Sequence, residues 1–437
     1  MYENEYQQKL TTPTDAVKLI PKKASISFGM AVSQPPALLK AIGERAKNRD
    51  LKEIKVYYLH AEKPANEYLL NYELMDIIKP HPMFLGEKER ALIKQGDADN
   101  RKVIFYIPSS FSHVPRYFRE WIDLDVFVVT VSPMDKAGYF TFGTNNDYSS
   151  TAARTAKKLI VEVNENAPRV FGGSLLHVSE VDAIVENTVP LIELIPRNPL
   201  PEDKIIAEHI ITLIPDGACI QMGVGGVPDA VCDYLCHHND LGIHSELLSP
   251  GMVDLIKKGV VTGSRKVLNR YKHTFTIAFG NHEMYEFMND NPSMESYPVD
   301  YINNPTNIAQ NDNVISVNSL IEIDLFGQVN AESIHGRQFG GPGGQNDFVR
   351  GAYLSEGGKS ILAFESTTKN NTISKIVPKI NGIITDLRID TEYVVTEYGI
   401  ETLKGKSSTE RAFALIRLAH PDFRLELTEM AKQLKLL

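Results

Sequence analysis

Apolar residues occur along the chain in short runs that are separated by longer amphipathic stretches. Four runs rich in β-branched residues predict strands at Ile54–Tyr58, Val103–Ile107, Val126–Val131 and Leu159–Val163. The stretches between them have the apolar spacing of amphipathic helices. This alternation favours parallel-rich sheets with helices packed around them, an α/β fold.

The clearest longer pattern is an internal echo between the two halves of the chain. Ala24–Leu59 and Ala218–Leu248 each contain a strand, a glycine, a short loop with proline at a helix start, then Asp-Leu and a second strand. Val126–Gly143 and Val314–Glu332 form a second pair, each with a β-run, a tight turn containing glycine and a short strand. Two duplicated α/β halves explain both matches with one assumption. The alternative is that any two strand–glycine–helix units look alike.

The predicted seam between domains is the segment Thr188–Lys204. It carries four prolines ahead of a helix that is expected to begin near Glu202. A chain of 437 residues is too long for one ordinary core. The sequence therefore predicts an N-terminal α/β domain over residues 1–190 and a C-terminal α/β domain over residues 200–437.

Composition and charge narrow the class of protein. Apolar residues make up 43% of the chain and charged residues 23%, values typical of soluble globular proteins, and the net charge of −9 disfavours nucleic acid or an anionic membrane as a partner. No apolar run approaches the roughly 18 residues of a membrane span. The start, MYENEYQQKL, lacks the pattern of a secretory signal. We therefore expect a cytoplasmic protein.

A group of cysteines and histidines lies close together in the sequence. Cys232 and Cys236 have the i, i+4 spacing of one helix face, His237 and His238 follow, and Cys219 lies upstream on a strand. No second pair completes four ligands at zinc spacing. We expect buried structural cysteines and no metal site.

The stretch GVGGVP follows an apolar strand and precedes a helix. Gly223, Gly225 and Gly226 allow backbone N–H groups to approach a ligand, and the start of a helix favours an anion. A dinucleotide fingerprint would need a glycine where Pro228 stands, although Glu246 is a suitable acid about 20 residues further on. Glu246 itself could hold a ribose, act as a nucleophile, or simply be a solvated strand end.

A second glycine-rich stretch is Gly336–Gly358, with five glycines between Gly336 and Gly344 inclusive. Such a stretch is costly in conformational entropy, so a close approach of the backbone to a ligand or an oxyanion is the interpretation that fits best. A mobile surface loop is the alternative.

These motifs, in this order, resemble the acetyl-CoA hydrolase/transferase family. QMGVGGVPDAV, LGIHSELLSPGMVDL and GGPGGQNDFVRGA carry the resemblance, most closely to bacterial 4-hydroxybutyrate (butyrate-type) coenzyme A transferases, and SFGMAVSQPPALL and Val163–Glu186 extend it over nearly the whole chain. The resemblance implies two tandem open α/β domains of the CoA-transferase type, related by an internal pseudo-repeat, with the active site between them. Pro342 departs from the small residues that relatives often carry there.

The resemblance also assigns residues to roles. It implies that Glu246 is the nucleophile, that Asn304 lies near its carboxylate, and that main-chain donors of the Gly344 loop stabilise the oxyanion. The positions that match coenzyme A contacts are Gly223, Val224, Gly225, Gly226, Val227, Ile321, Gly344 and Lys369. An ordinary glutamate has a pKa of about 4.3, so this reading requires no activating base.

The implied reaction is transfer of coenzyme A between short-chain carboxylic acids through a glutamyl-CoA thioester. Acetyl-CoA or succinyl-CoA is the expected donor, and a 4-hydroxybutyrate- or butyrate-type acid, or a short dicarboxylate such as itaconate, is the expected acceptor. Coenzyme A and acyl-CoA are then substrates and not permanent cofactors, the partners are small molecules, and a homodimer is expected. The alternatives are an acyl-CoA hydrolase on the same scaffold and, in a different class, a nucleotide-binding dehydrogenase or regulatory module.

Other candidate residues are interpreted as structural or are assigned to the acyl pocket. Glu62 is expected at the surface, and His244 and His335 are expected to be packing or hydrogen-bonded scaffold. Residues around Phe28–Met30 and Ser109–Phe111 are expected to shape the acyl pocket.

Overall fold

The structure is a computed structural model that describes residues 2–194, 198–368 and 370–437. The chain divides into two units. Unit 1 comprises Met1–Ile195 and Thr274–Ile302, and unit 2 comprises Pro196–His273 and Asn303–Leu437. No helix among the described residues has both the length and the apolar character needed to cross a bilayer.

Strands are numbered in chain order. The strands before residue 195 are β1 (Lys23–Phe28), β2 (Glu53–Tyr58), β3 (Ile78–Pro82), β4 (Val126–Val131), β5 (Tyr139–Thr141), β6 (Lys158–Val163), β7 (Phe171–Gly172), β8 (Leu175–His177) and β9 (Ala183–Glu186). The next are β10 (Cys219–Met222), β11 (Gly242–Leu248), β12 (His273–Ala278), β13 (Met294–Ser296), β14 (Val314–Asn318), β15 (Glu322–Asp324), β16 (Val329–Asn330), β17 (Ser333–Ile334) and β18 (Arg337–Gln338). The last are β19 (Lys359–Ala363), β20 (Thr367–Thr368), β21 (Ile373–Ser374), β22 (Ile376–Val377), β23 (Tyr393–Thr396) and β24 (Gly399–Thr402).

Helices are numbered in the same way. Those of the first half are α1 (Tyr2–Lys9), α2 (Pro13–Ala16), α3 (Pro36–Lys47), α4 (Lys63–Tyr68), α5 (Glu87–Ala98), α6 (Val114–Glu120), α7 (Ser149–Thr155) and α8 (Pro201–Ile211). Those of the second half are α9 (Gly226–Tyr234), α10 (Pro250–Lys257), α11 (His282–Met288), α12 (Val299–Ile302), α13 (Pro305–Ile308), α14 (Gln345–Leu354), α15 (Ser408–Leu418) and α16 (Pro421–Gln433).

Unit 1 is built on a six-stranded parallel sheet in the order β3-β2-β1-β4-β6-β9. Every residue of β4 is buried, as expected for a central strand covered on both faces. α3 buries Leu38, Leu39 and Ile42 in the core of this sheet. The chain moves from β1 outward to β2 and β3 and then returns to β4, so the strand order reverses between β1 and β4.

In unit 2 the main sheet has the order β24-β23-β19-β14-β10-β11. Its neighbours are parallel, apart from the antiparallel pair of β23 and β24. One hydrophobic core of unit 2 includes Phe364, Val394 and Leu415. β10 lies between β11 and β14, so the strand order reverses between β10 and β14, as it does between β1 and β4 in unit 1. The two echo segments thus fold with the same topology, and the predicted α/β class is confirmed.

One predicted strand is wrong. Val103–Ile107 lies beside β3 but is not a strand: Phe105 N donates to Pro80 O and Ile107 N donates to Pro82 O, each at 2.9 Å. The ladder cannot be completed because Pro80 and Pro82 have no N–H group to donate in return.

The segment Thr274–Ile302 belongs to unit 1, although a single boundary at residues 190–200 would place it in the second domain. Asn146 N donates to Thr276 O at 3.0 Å, and Ala278 N donates to Thr144 O at 2.7 Å. β13 continues this connection by pairing with β7.

Candidate active site

The glycine stretch 223–226 forms the turn between β10 and α9 at the carboxyl end of the unit 2 sheet. Gly225 has a φ of +123°, which favours glycine. A Cβ atom on Gly223 or Gly225 would meet nothing within 4 Å, so this backbone borders open space. Gly226 is required for a different reason: a Cβ there would lie 2.0 Å from Oδ2 of Asp203.

This turn borders a cavity of about 240 Å³, here named the glycine-loop cavity. Its walls come from the ends of β10, β14 and β19, where ligands bind in open α/β sheets. The lining residues are Asp203, Gly223, Val224, Gly225, Gly226, Val227, Pro228, Val317, Asn318, Ser319, Ala363, Phe364, Glu365 and Lys375. The cavity therefore lies at the point where the strand order of unit 2 reverses.

Glu246 is near the carboxyl end of β11, the strand next to β10. Because the two strands are parallel, Glu246 and the glycine turn lie at the same edge of the sheet. The strand is buried up to Ser245, and Glu246 is the first of two residues with intermediate exposure. Glu246 thus lies where the strand leaves the core. A solvated strand end would lie there too, so the contacts of the Glu246 carboxylate decide whether it is a solvated strand end or a functional group.

Two donors hold the Glu246 carboxylate. Asn303 Nδ2 donates to Oε2 at 2.5 Å, and the backbone N–H of Gly344 also donates to the carboxylate. Asn303 itself is fully buried. A glutamate held by a buried amide and a backbone N–H is a preorganised group and not a solvated strand end.

The pKa of Glu246 is raised to about 7: burial is the largest cause, the hydrogen bonds from Asn303 and Gly344 act against it, and the negative charge of Asp347 acts in the same direction as burial. The expectation of an ordinary glutamate that is fully ionised at neutral pH is therefore wrong. The sequence shows the residue type but not how deeply its carboxyl group is buried.

The loop before α14 requires glycine at two positions. Gly343 has a φ of +54°. A Cβ on Gly344 would lie 1.9 Å from Glu246 Oε2 and 2.0 Å from Asn303 Nδ2, so a side chain there cannot be accommodated without displacing both groups. Gly344 is also the N-cap of the ten-residue helix α14, so the positive end of that helix lies at this region.

The asparagine whose side chain donates to the Glu246 carboxylate is Asn303, whereas the sequence led us to expect Asn304 near it. Asn304 is the N-cap of α13, and its Oδ1 accepts a hydrogen bond from Thr306 N at 2.9 Å. The two neighbours differ because Pro305 starts a helix, and the residue before the helix uses its side chain as a cap.

One other predicted contact residue, Ile321, does not line the glycine-loop cavity. Ile321 lies two residues beyond the lining residue Ser319, and its backbone N donates to Asn330 O at 2.9 Å. Lys369 lies outside the described residues, so its predicted contact stays a prediction.

The cysteines and the remaining acid and histidine candidates have structural surroundings. Cys219 and Cys232 are buried and Cys236 is exposed, and burial raises the pKa of Cys219 to about 11. Among the described residues, no group of three or more metal-binding side chains has the arrangement of a metal site. In unit 1, Glu62 lies 2.8 Å from His60 Nε2.

The two histidines near the motifs differ from each other. His244 is fully buried, with its ring 6.4 Å from that of Phe348, as expected of scaffold. His335 is exposed, with a φ of +51°, in the two-residue turn between β17 and β18 together with Gly336. His335 is therefore an exposed residue of a hairpin turn, and its side chain is not packed in a core.

Sequence reasoning missed Asn303, Asp203 and Lys375. Asn303 could have been found as the neighbour of the proposed Asn304, since both precede Pro305. Asp203 and Lys375 reach the glycine loop from segments about 20 and 150 residues away along the chain, and no local pattern links them to it.

The arrangement can support attack by a carboxylate. The donors that hold Glu246 can also stabilise the negative charge that develops on a carbonyl oxygen attacked by it, since preorganised amides at such a position are effective oxyanion donors. The adjoining cavity offers an open backbone turn at a helix start, a suitable place for an anionic ligand.

Comparison with known families gives two matches that together span most of the chain. The family profile described as acetyl-CoA hydrolase/transferase N-terminal domain matches residues 1–196, and that of the acetyl-CoA hydrolase/transferase C-terminal domain matches residues 280–431.

Individual proteins are similar over nearly their full length. The chain is 41% identical to a succinyl-CoA:cyclohexane-1-carboxylate CoA transferase of Geobacter metallireducens, covering 99% of this chain and 97% of that protein. It is 41% identical to a 4-hydroxybutyrate coenzyme A transferase of Clostridium kluyveri, covering 99% of each. The crystal structure of RipA from Yersinia pestis matches with a TM-score of 0.98 and 53% identity over 100% of both chains.

Proposed function

The chain belongs to the acetyl-CoA hydrolase/transferase family and is a CoA transferase acting on short-chain acids, and we propose that it works through a glutamyl-CoA thioester on Glu246. The observation that supports this mechanism best is the Glu246 carboxylate held by Asn303 Nδ2 and Gly344 N–H, at the same edge of the sheet as the glycine turn.

The first half of the reaction loads the enzyme. The Glu246 carboxylate attacks the thioester carbonyl of the donor, the C–S bond of the tetrahedral adduct breaks, and coenzyme A departs as a thiolate while an acyl-glutamyl mixed anhydride remains on the enzyme. The thiolate then attacks the glutamyl carbonyl, which releases the donor's acid and leaves coenzyme A on Glu246 as a thioester. The incoming acid reverses both steps, so no water, metal or nucleotide triphosphate is consumed.

Each step passes through a tetrahedral oxyanion. The donors proposed for that oxygen are Gly344 N–H and Asn303 Nδ2, which hold the Glu246 carboxylate, and one such donor typically contributes about 10²–10³ in rate. Since a carboxylate is a poor nucleophile and the anhydride is high in energy, binding energy from the remote part of coenzyme A has to contribute to the reaction.

The identity of the acids is part of the proposal. The two similar transferases are named for succinyl-CoA and cyclohexane-1-carboxylate and for 4-hydroxybutyrate. We propose acetyl-CoA or succinyl-CoA as donor and a 4-hydroxybutyrate- or butyrate-type acid as acceptor, with itaconate as the dicarboxylate to compare. Phe28 and Phe111 are buried side chains of the segments assigned to the acyl pocket.

Initial-rate kinetics test the transfer scheme. With acetyl-CoA as donor and a panel of acids as acceptors, double-reciprocal plots should be parallel, as for a ping-pong reaction. The Glu246→Gln variant should lose transfer by at least about 10⁴-fold, as enzymes do when a nucleophile is removed. Intersecting lines, or a variant with near-normal transfer, would refute the scheme.

The same assay distinguishes transfer from hydrolysis. Loss of acyl-CoA that requires an acceptor acid identifies a transferase, whereas equal loss in the absence of any acceptor identifies a hydrolase on this scaffold. The homodimer and the cytoplasmic location expected from the sequence stay predictions, the first to be measured by sedimentation.

A further inference from the structure

We infer that Lys375 is the cation that binds a phosphate group of coenzyme A in the glycine-loop cavity. This inference rests on the proposed function, since it assumes that coenzyme A is the ligand of that cavity. It names a recognition residue that no sequence motif indicates.

The charges that line the cavity give the first reason. Its charged lining residues are Asp203, Glu365 and Lys375, so two acids face a single cation among the described residues. Coenzyme A carries a pyrophosphate and a ribose phosphate. Two carboxylates alone would repel such a ligand, and the lysine is the group in this cavity that can offset them.

The backbone around Lys375 gives the second reason, because it fixes where the side chain starts. Lys375 lies between β21 and β22. Its N–H donates to Ser366 O at 2.8 Å, and its carbonyl accepts from Ile323 N at 2.9 Å. A lysine anchored on both sides is restricted to one region of the cavity wall, which lowers the entropic cost of binding a phosphate.

The electrostatic setting gives the third reason. Burial lowers the pKa of Lys375, while Glu365, Glu397 and Asp203 raise it by acting on its charge through space. Glu397 is itself engaged, since it accepts from Ser366 N at 2.9 Å and from Ser366 Oγ at 2.5 Å. These three carboxylates favour the charged form of Lys375, and the charged ammonium group is the form that binds a phosphate.

The open backbone of the loop complements the lysine. Gly223 and Gly225 border open space on the same cavity, and α9 begins at Gly226. Backbone amides at a helix start and one lysine are the usual components of a phosphate site. We therefore expect Lys375 to act on affinity for coenzyme A and not on the chemistry at Glu246.

The test compares two thioesters that differ in their phosphates. Acetyl-CoA carries the phosphate groups, and acetyl-pantetheine has the same thioester without them. In the Lys375→Gln variant the KM for acetyl-CoA should rise by at least about tenfold, the usual effect of losing a charged hydrogen bond. Its kcat/KM for acetyl-pantetheine should equal that of the wild type within about twofold, and Lys375→Arg should retain most of the affinity for acetyl-CoA.

Lys379→Gln is the matched control, because Lys379 is an exposed lysine four positions further along the same segment and does not line the cavity. Melting temperatures of all variants exclude misfolding as the cause of any change. An unchanged KM for acetyl-CoA in Lys375→Gln, or equal losses with both thioesters, would overturn the inference.

The failure of this inference is distinct from the failure of the proposed function. If wild-type transfer is present and depends on Glu246 but Lys375→Gln behaves like Lys379→Gln, only the role of Lys375 is refuted. If transfer does not depend on Glu246, the reaction scheme itself is wrong.

Discussion

The two points where strand order reverses have the same topology and different chemistry. In unit 1, β1 lies between β2 and β4, and in unit 2, β10 lies between β11 and β14. In unit 1 a side chain of the protein itself binds the N–H groups at the start of α3. Glu162 accepts hydrogen bonds from Leu38 N at 3.0 Å, from Ala37 N at 3.3 Å and from Asn187 Nδ2 at 2.6 Å. In unit 2 the corresponding turn contains glycines that border open space.

The second difference lies on the adjoining strand. β1 pairs Ser27 with Tyr57, and continuing this register by two residues places Leu59 beside Gly29. β10 pairs Ile220 with Ile243, and continuing by three places Glu246 beside Gly223. Unit 1 thus has a buried leucine where unit 2 has the proposed nucleophile. Both units therefore have the same sheet edge at this point, and the few residues that lie there determine whether that edge has a function.

After the loss of Glu246 itself, the largest effect is expected for Gly344→Ala. The added Cβ would overlap Glu246 Oε2 and Asn303 Nδ2, so it should displace the nucleophile and its donors together. We expect kcat for transfer to fall by about 10²–10³, the usual effect of losing an oxyanion donor. Stopped-time assays with acetyl-CoA and butyrate measure it. Activity within about twofold of the wild type would contradict the assigned geometry.

The next largest effect should separate two adjacent asparagines. Asn303→Ala removes a donor to Glu246 and should lower kcat by about 10–100-fold. Asn304→Ala removes only a helix cap, so it should cost about 1 kcal/mol of stability and leave kcat nearly unchanged. If the two variants exchange these phenotypes, the sequence expectation for Asn304 was right and the structural assignment is wrong.

The pH dependence of the reaction follows from the raised pKa of Glu246. The carboxylate attacks only when ionised, and burial raises its pKa to about 7. The value of kcat/KM for acetyl-CoA should therefore fall about tenfold per pH unit below that value and level off above it. Asp347→Asn removes a like charge and should shift the profile to lower pH. A profile that is flat down to about pH 5 would show that Glu246 titrates as an ordinary glutamate.

The smallest effect on activity is expected in unit 1. Glu162→Gln weakens the contacts at the start of α3 and should lower the free energy of unfolding by about 1–2 kcal/mol. Transfer should stay within about twofold of the wild type, because this carboxylate serves the fold. Denaturant unfolding and the transfer assay measure the two quantities on one preparation. A loss of transfer without a loss of stability would show that Glu162 serves the reaction, and would contradict its purely structural role in unit 1.

The sequence predicted the fold well because the relevant signals are local. β4, β10 and β14 are short apolar runs, and the turn at 223–226 has the glycines that its geometry requires. Val103–Ile107 failed because two prolines on its neighbour remove the hydrogen bonds that make a strand, a property of the partner and not of the segment.

The site was predicted less completely because it depends on contacts between distant segments. Glu246, Asn303 and Gly344 come from three separate parts of the chain, and the choice between Asn303 and Asn304 depends on which one caps α13. The pKa of Glu246 depends on burial and on Asp347, about 100 residues away. Neither is encoded in a local pattern.

The most direct measurement is the mass of the peptide that contains Glu246 after brief incubation with acetyl-CoA and rapid quenching. In the wild type this peptide should gain coenzyme A as a thioester, which hydroxylamine or borohydride removes, and the Glu246→Gln peptide should gain nothing. Active enzyme that carries no adduct, or that carries it on another residue, would contradict covalent catalysis by Glu246.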